Sequence, residues 1–141
     1  MVKQFDADGV SFRFPDDWAL EREATDGGWT ASLQSKETAF LVVTLDRGMP
    51  EPERMAEAAL EALKSEYVGL EADAAVDMLA GEMAVGHDIE FFSFDLPNTA
   101  WTRSLYCGAG TLLVYWQAND LELAAAEPVL RAITGSLKVE E

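Results

Sequence analysis

Most of the chain divides into strand-length stretches, and these come in two runs, each closed by one helix-length stretch. Val10-Ser11-Phe12-Arg13-Phe14 alternates apolar and polar residues, the pattern of a half-buried strand. After Pro15-Asp16-Asp17, Trp18–Ala24 is a second strand with Trp18, Leu20 and Arg22 on one face. Asp26-Gly27-Gly28 is a turn, and Trp29–Gln34 and Ala39–Asp46 follow as strands. The last is nearly all apolar, which predicts a central strand covered on both faces. The period then changes. Pro50, Glu51, Pro52 and Glu53 mark a helix start. Met55, Ala56, Ala59, Leu60, Leu63 and Tyr67 fall on one arc of a helical wheel, opposite Glu57, Glu61, Lys64 and Ser65. That is an amphipathic helix lying on a sheet, stopped near Gly69.

The second run repeats the plan. Glu71–Leu79 is a short strand, Gly81-Glu82 a turn, and Met83–Leu96 a long extended segment bent at Gly86. Pro97-Asn98-Thr99 is expected to turn the chain into Trp101–Cys107, and Gly108-Ala109-Gly110 into Thr111–Ala118, as consecutive antiparallel hairpins. Asn119-Asp120 caps a second helix, with Pro128 in its first turn and Val129, Ala132, Ile133 and Ser136 toward the core. Two strand runs, each followed by a helix, define an α+β fold: an antiparallel β-sheet sandwiched by helices. They exclude the alternating βαβ order of nucleotide-binding folds. The length of 141 residues fits a single domain spanning 1–141.

The stretch Gly9-Val10-Ser11-Phe12-Arg13-Phe14-Pro15-Asp16-Asp17-Trp18 resembles the opening of PsbP-like domains. That superfamily includes the extrinsic subunit of photosystem II and the Ran-binding nuclear import factor. The close is similar too: Leu113–Asp120, containing Gln117-Ala118-Asn119-Asp120, and then a helix ending in Ser136-Leu137. The resemblance implies a PsbP-like αβα sandwich across nearly the whole chain and a role in binding partners rather than in catalysis. It carries over no Ran-binding residues, and no metal-ligand cluster matches the metal sites of the photosynthetic members.

Charge narrows the partners. With 26 acidic and 10 basic residues the formal net charge is −16. Affinity for DNA and RNA rests on Lys and Arg neutralising phosphates, so nucleic acid and anionic membranes are excluded as expected partners. A protein with a basic surface is favoured by long-range attraction; salt adaptation also produces such a composition. No stretch approaches the ~18 apolar residues of a membrane helix. The N-terminus Met1–Asp6 lacks the apolar core of a signal peptide. Together with a single cysteine, Cys107, this gives a cytoplasmic expectation.

Few residues are available for chemistry. His87 is the only histidine and Cys107 the only cysteine, so Cys and His alone cannot build a zinc site. With a turn centred on Pro97-Asn98, His87 falls opposite Cys107 or Gly108, where side chains sit about 5 Å apart. A cysteine beside a histidine can act as a thiolate nucleophile, although no oxyanion device accompanies it. Asp88 and Glu90 share a strand face, near Arg103. Asp6 and Asp8 before Gly9 lack the later ligands of a calcium loop. Of Trp18, Trp29, Trp101 and Trp116, Trp101 lies nearest a turn and is the expected exposed contact. The binding residues expected from sequence are therefore Trp101, His87, Arg103 and Cys107, with no cofactor, no metal and no catalytic set. The leading expectation is a non-catalytic accessory or protein-interaction domain. The alternatives are a small-molecule-binding domain with a pocket between helix and sheet, and a Cys–His enzyme.

Overall fold

The computed structural model describes residues 1–141. The chain runs β1 (Val2–Ala7), β2 (Val10–Pro15), β3 (Ala19–Ala24), β4 (Gly28–Gln34), β5 (Phe40–Asp46), α1 (Pro52–Glu66), β6 (Glu71–Leu79), β7 (Glu82–Ser93), β8 (Leu96–Cys107), β9 (Gly110–Asn119), α2 (Leu123–Gly135) and β10 (Lys138–Val139). Seven strands form one sheet in the order β3-β4-β5-β9-β8-β7-β6, and β1-β2-β10 form a smaller one. Every strand pair is antiparallel. The α+β arrangement expected from the two strand runs is the one observed.

Alternation along the strands gives the large sheet two faces. On the first, Phe5, Val10, Phe12 and Phe14 of the small sheet and Leu130, Ile133 and Leu137 around α2 bury Trp29, Leu33, Leu41, Val43, Leu112, Val114 and Trp116. On the second, Leu60 of α1 packs on Ile89, Phe91 and Ala100, with Leu63, Tyr67 and Tyr115 around them. Each such Leu or Phe is stabilised by about 1.5–3 kcal/mol relative to exposure. The first face carries most of the core; α1 covers only part of the second. No helix is long and apolar enough to cross a membrane.

Four local expectations need correction. The strand β1 was not expected, because only Phe5 in Val2–Ala7 is buried and the stretch has little apolar pattern. The Asp8-Gly9 turn, with φ of +52° and +78°, folds β1 back onto β2. The strand covered on both faces is β8, from Ala100 to Leu105, whereas β5 is fully buried on one face only. The cause is the path of α1, which lies across β7, β8 and β9. The β7–β8 turn falls at Phe94-Asp95, φ +52° and +63°, with Pro97 inside β8 opposite Phe92. Positive φ at both central residues is the requirement of a type I′ two-residue hairpin; the pairing of the flanking strands enforces that on Phe94 despite its bulk. Finally, α2 begins at Leu123, so Pro128 lies inside it, and Ala132 is exposed while Leu130 and Ile133 take the core positions.

Candidate interaction surface

The structure brings two of the four residues singled out from sequence together and separates the other two. Arg103 and Trp101 are neighbours on β8, on the face that carries α2. Trp101 pairs with Trp116 of β9, and their rings stack 6.0 Å apart at 17°. The Arg103 guanidinium lies 4.7 Å from the Trp101 ring, and Arg131 of α2 lies 5.7 Å from that of Trp116. The result is a column of cation, two indoles and cation. Trp101 is 7% exposed and therefore not a surface contact. The reason is the register: it sits mid-strand, away from the Phe94-Asp95 turn and covered by Arg103.

Arg103 is itself buried, its side chain 4% exposed. Its Nε donates to both carboxylate oxygens of Asp77 at 3.1 and 3.2 Å, and its Nη2 donates to Asp88 at 3.1 Å. Its Nη1 donates to the Thr102 carbonyl at 2.8 Å. A planar fork with these partners is fully occupied, so Arg103 anchors the sheet and is not free to hold a ligand. Asp88 meets Arg103 as the shared strand face implied.

His87 and Cys107 do not meet. With the turn at Phe94-Asp95, His87 pairs with Thr102, five residues from Cys107. Their side chains also point to opposite faces, as a shifted register dictates. The His87 Nε2 lies 3.8 Å from Glu57 of α1, and its buried Nδ1 has no partner. Cys107 is buried against the main core. The Cys–His enzyme reading loses its geometry. On the same face, two strands from His87 and across Thr102, the Tyr115 hydroxyl donates to Gln117. Burial pushes its phenol above the usual range, with Tyr67 and Glu66 adding to the shift.

Large apolar side chains gather elsewhere. Beyond the cover of α1, Val76 and Met78 of β6 and Met83 of β7 are 65%, 66% and 68% exposed, and Tyr106 of β8 is 46% exposed. Met78 pairs directly with Met83, and Val76 with Val85. Val85 pairs in turn with Ser104, two residues before Tyr106 on the same face. Cross-strand neighbours stand about 5 Å apart, so these side chains form one strip. The sequence held a signal for it: within Glu71–Leu79 the apolar Ala72, Ala74, Val76 and Met78 alternate with Glu71, Asp73 and Asp77. What the sequence did not reveal is which end of that face α1 leaves bare.

A concavity lies between α2 and β2. It encloses about 420 Å³ and is lined mainly by Phe14, Pro15, Pro128, Val129, Ala132 and Ile133. No three His, Cys, Asp or Glu side chains come together as a metal site requires.

An antiparallel sheet with α1 on one face and a small sheet plus α2 on the other is the architecture of PsbP-like proteins, and solved structures carry it. Cyanobacterial PsbP from Synechocystis sp. PCC 6803 superposes with a TM-score of 0.59 at 11% identity, over 98% of this chain and 92% of that one. LpqN of Mycobacterium tuberculosis, a protein involved in cell envelope biogenesis, matches with a TM-score of 0.58 at 14% identity, over 99% and 92%. A Bacteroides thetaiotaomicron VPI-5482 protein reaches 0.65 at 12% identity, and there this chain spans only 48% of the other's length. No family model matches the chain, and no curated protein is similar to it in sequence. The likeness is one of fold: the chain has the PsbP-like sandwich.

Proposed function

We propose that this protein is a non-catalytic accessory protein that holds a protein partner on the strip formed by Val76, Met78, Met83 and Tyr106. The observation that carries the reading is the exposure of these four large apolar side chains, 46–68%, side by side on one sheet face. Contiguous exposed apolar surface on a soluble domain marks interaction sites, and Met and Tyr are among the residues enriched at interfaces. A surface with 16 excess negative charges draws a basic partner toward it. In an affinity experiment on a host extract, the Met78→Lys/Met83→Lys double variant loses a partner that the wild type and a Leu20→Lys variant on β3 both retain. Equal retention by all three proteins rules the strip out.

One observation favours a second reading, a small-molecule-binding domain. The apolar cleft of about 420 Å³ between α2 and β2 is within the size range of ligand pockets. A ligand seated there raises the melting temperature of the wild type and leaves unchanged that of Ala132→Trp, whose side chain fills the cleft.

A further inference from the structure

We infer that the outer edge of β6 is a docking site for an extended segment of a protein partner in which basic and apolar side chains alternate, added to the sheet as an eighth strand. The inference rests on the reading of the adjacent strip as a protein-binding face, and it names the partner's chemistry.

β6 is the terminal strand of the seven-stranded sheet and pairs only with β7. None of the backbone hydrogen bonds outside regular structure reaches residues 71–79. Its outward N–H and C=O groups are therefore open, and edge strands are ordinarily guarded by short length, proline, a bulge or charge, lysine above all. Of the devices edge strands use, β6 has only charge, and all of it is acidic: Glu71, Asp73 and Asp77. It is nine residues long, it contains no Pro, Lys or Arg, and its register with β7 runs unbroken from Glu71↔Glu90 to Leu79↔Glu82. The opposite edge, β3, differs: it is shorter, at six residues, and its charges include a cation, Arg22, between Glu21 and Glu23, whereas those of β6 are all acidic.

The two faces of the β6 edge specify what fits. One face presents Ala74, Val76 and Met78, continuous with Met83 and Tyr106. The other presents Glu71, Asp73 and Asp77, continued on β7 by Asp88 and Glu90, all of them exposed. Two like-charge pairs lie directly opposite each other, Glu71↔Glu90 and Asp73↔Asp88. Such pairs are unfavourable; Arg103 offsets part of the second by holding Asp88, but no ion pair reaches Glu71, Asp73 or Glu90. An added strand with Lys or Arg on this face and Val, Ile or Met on the other would relieve the repulsion and cover the apolar strip in one step, while its backbone satisfies the open edge. A second copy of this chain is the wrong occupant, because a two-fold pairing of β6 edges sets the Glu71-Asp73-Asp77 row against its own duplicate.

The test uses nine-residue peptides with blocked termini: alternating Lys-Val, a same-composition peptide with lysines and valines in blocks, and alternating Glu-Val. Affinity is measured by calorimetry and the site by amide hydrogen exchange. The alternating basic peptide binds and slows exchange in β6. The block peptide binds at least about tenfold more weakly, and the acidic one does not bind. Asp73→Lys weakens the alternating peptide by about tenfold or more, whereas Glu21→Lys on β3, of the same charge change, does not. Equal affinity for the alternating and block peptides, or protection outside β6, overturns the proposal. If the alternating peptide fails while Met78→Lys/Met83→Lys still abolishes partner capture, the edge inference falls and the strip stands. If the peptide adds to β6 but that double variant leaves capture intact, the reading of the strip falls instead.

Discussion

The guanidinium of Arg103 lies over the ring of Trp101, 4.7 Å from its centre, with both side chains almost out of contact with water. The carboxylates that balance it are in a different environment: Asp77 and Asp88 are 50% and 59% exposed. That asymmetry predicts an asymmetric response. In Arg103→Met the two carboxylates rehydrate, and the loss is the stacking and the donated hydrogen bonds, about 1–3 kcal/mol. In Asp77→Ala/Asp88→Ala the cation stays buried without an anion, and breaking a pair that way costs about 3–5 kcal/mol. Urea unfolding ranks the variants; a larger loss in Arg103→Met reverses the argument and makes the stacking the dominant contribution.

Asp8 predicts an acid-dependent component of stability. Its carboxylate accepts the Trp29 indole N–H at 2.7 Å and the Arg47 guanidinium at 2.9 Å, tying the β1–β2 turn to β4 and to the loop after β5. The Trp29 hydrogen bond, and then that from Arg47, hold its carboxyl below the usual carboxylate range. A group with a depressed folded pKa is more readily protonated in the unfolded chain. Its contribution is therefore complete above the unfolded value of about 3.9 and is lost as pH falls through the folded one. Asp8→Asn keeps an acceptor but removes the charge. The stability difference between wild type and variant is largest near neutral pH and shrinks toward pH 3. A difference that stays constant across that range would mean that the charge of Asp8 is not linked to folding.

The architecture was legible because strand period, glycine turns and two amphipathic helices are written locally: β2, β4, β9 and α1 lie close to where their patterns put them. Errors arose where a distant element decides the outcome. Pro97-Asn98 has the stronger turn chemistry, yet the hairpin turns at Phe94-Asp95. That register lets Trp101 stack on Trp116 and places Ile89 and Phe91 under α1. One displaced turn misplaced three of the four residues singled out from sequence. It removed Trp101 from the surface and parted His87 from Cys107, while Arg103 kept its acidic neighbour but as a buried anchor. The exposed strip on β6–β8 depends on where α1 stops covering the sheet, which no local pattern encodes.

Gly86 offers the sharpest check on that register. The sequence suggests a bend there; the structure shows a close approach instead. A Cβ on Gly86 would lie 1.9 Å from the carbonyl oxygen of Thr102, a backbone atom that no rotamer change can move. That carbonyl also accepts a hydrogen bond from Arg103, the residue that pairs with Gly86 across the strands. Gly86→Ala must therefore part β7 from β8 locally and loosen the Arg103 anchor, at a cost of about 3 kcal/mol, the upper part of the range for overpacking. Because Arg103 covers Trp101, the same variant shifts tryptophan emission to the red. Gly135→Ala is the control. Nothing lies within 4 Å of a Cβ there, so the substitution is neutral or stabilises by up to about 1 kcal/mol by restricting the unfolded chain. If Gly86→Ala unfolds at the same urea concentration as Gly135→Ala, β7 and β8 are not paired in the register that places Arg103 beside Asp88.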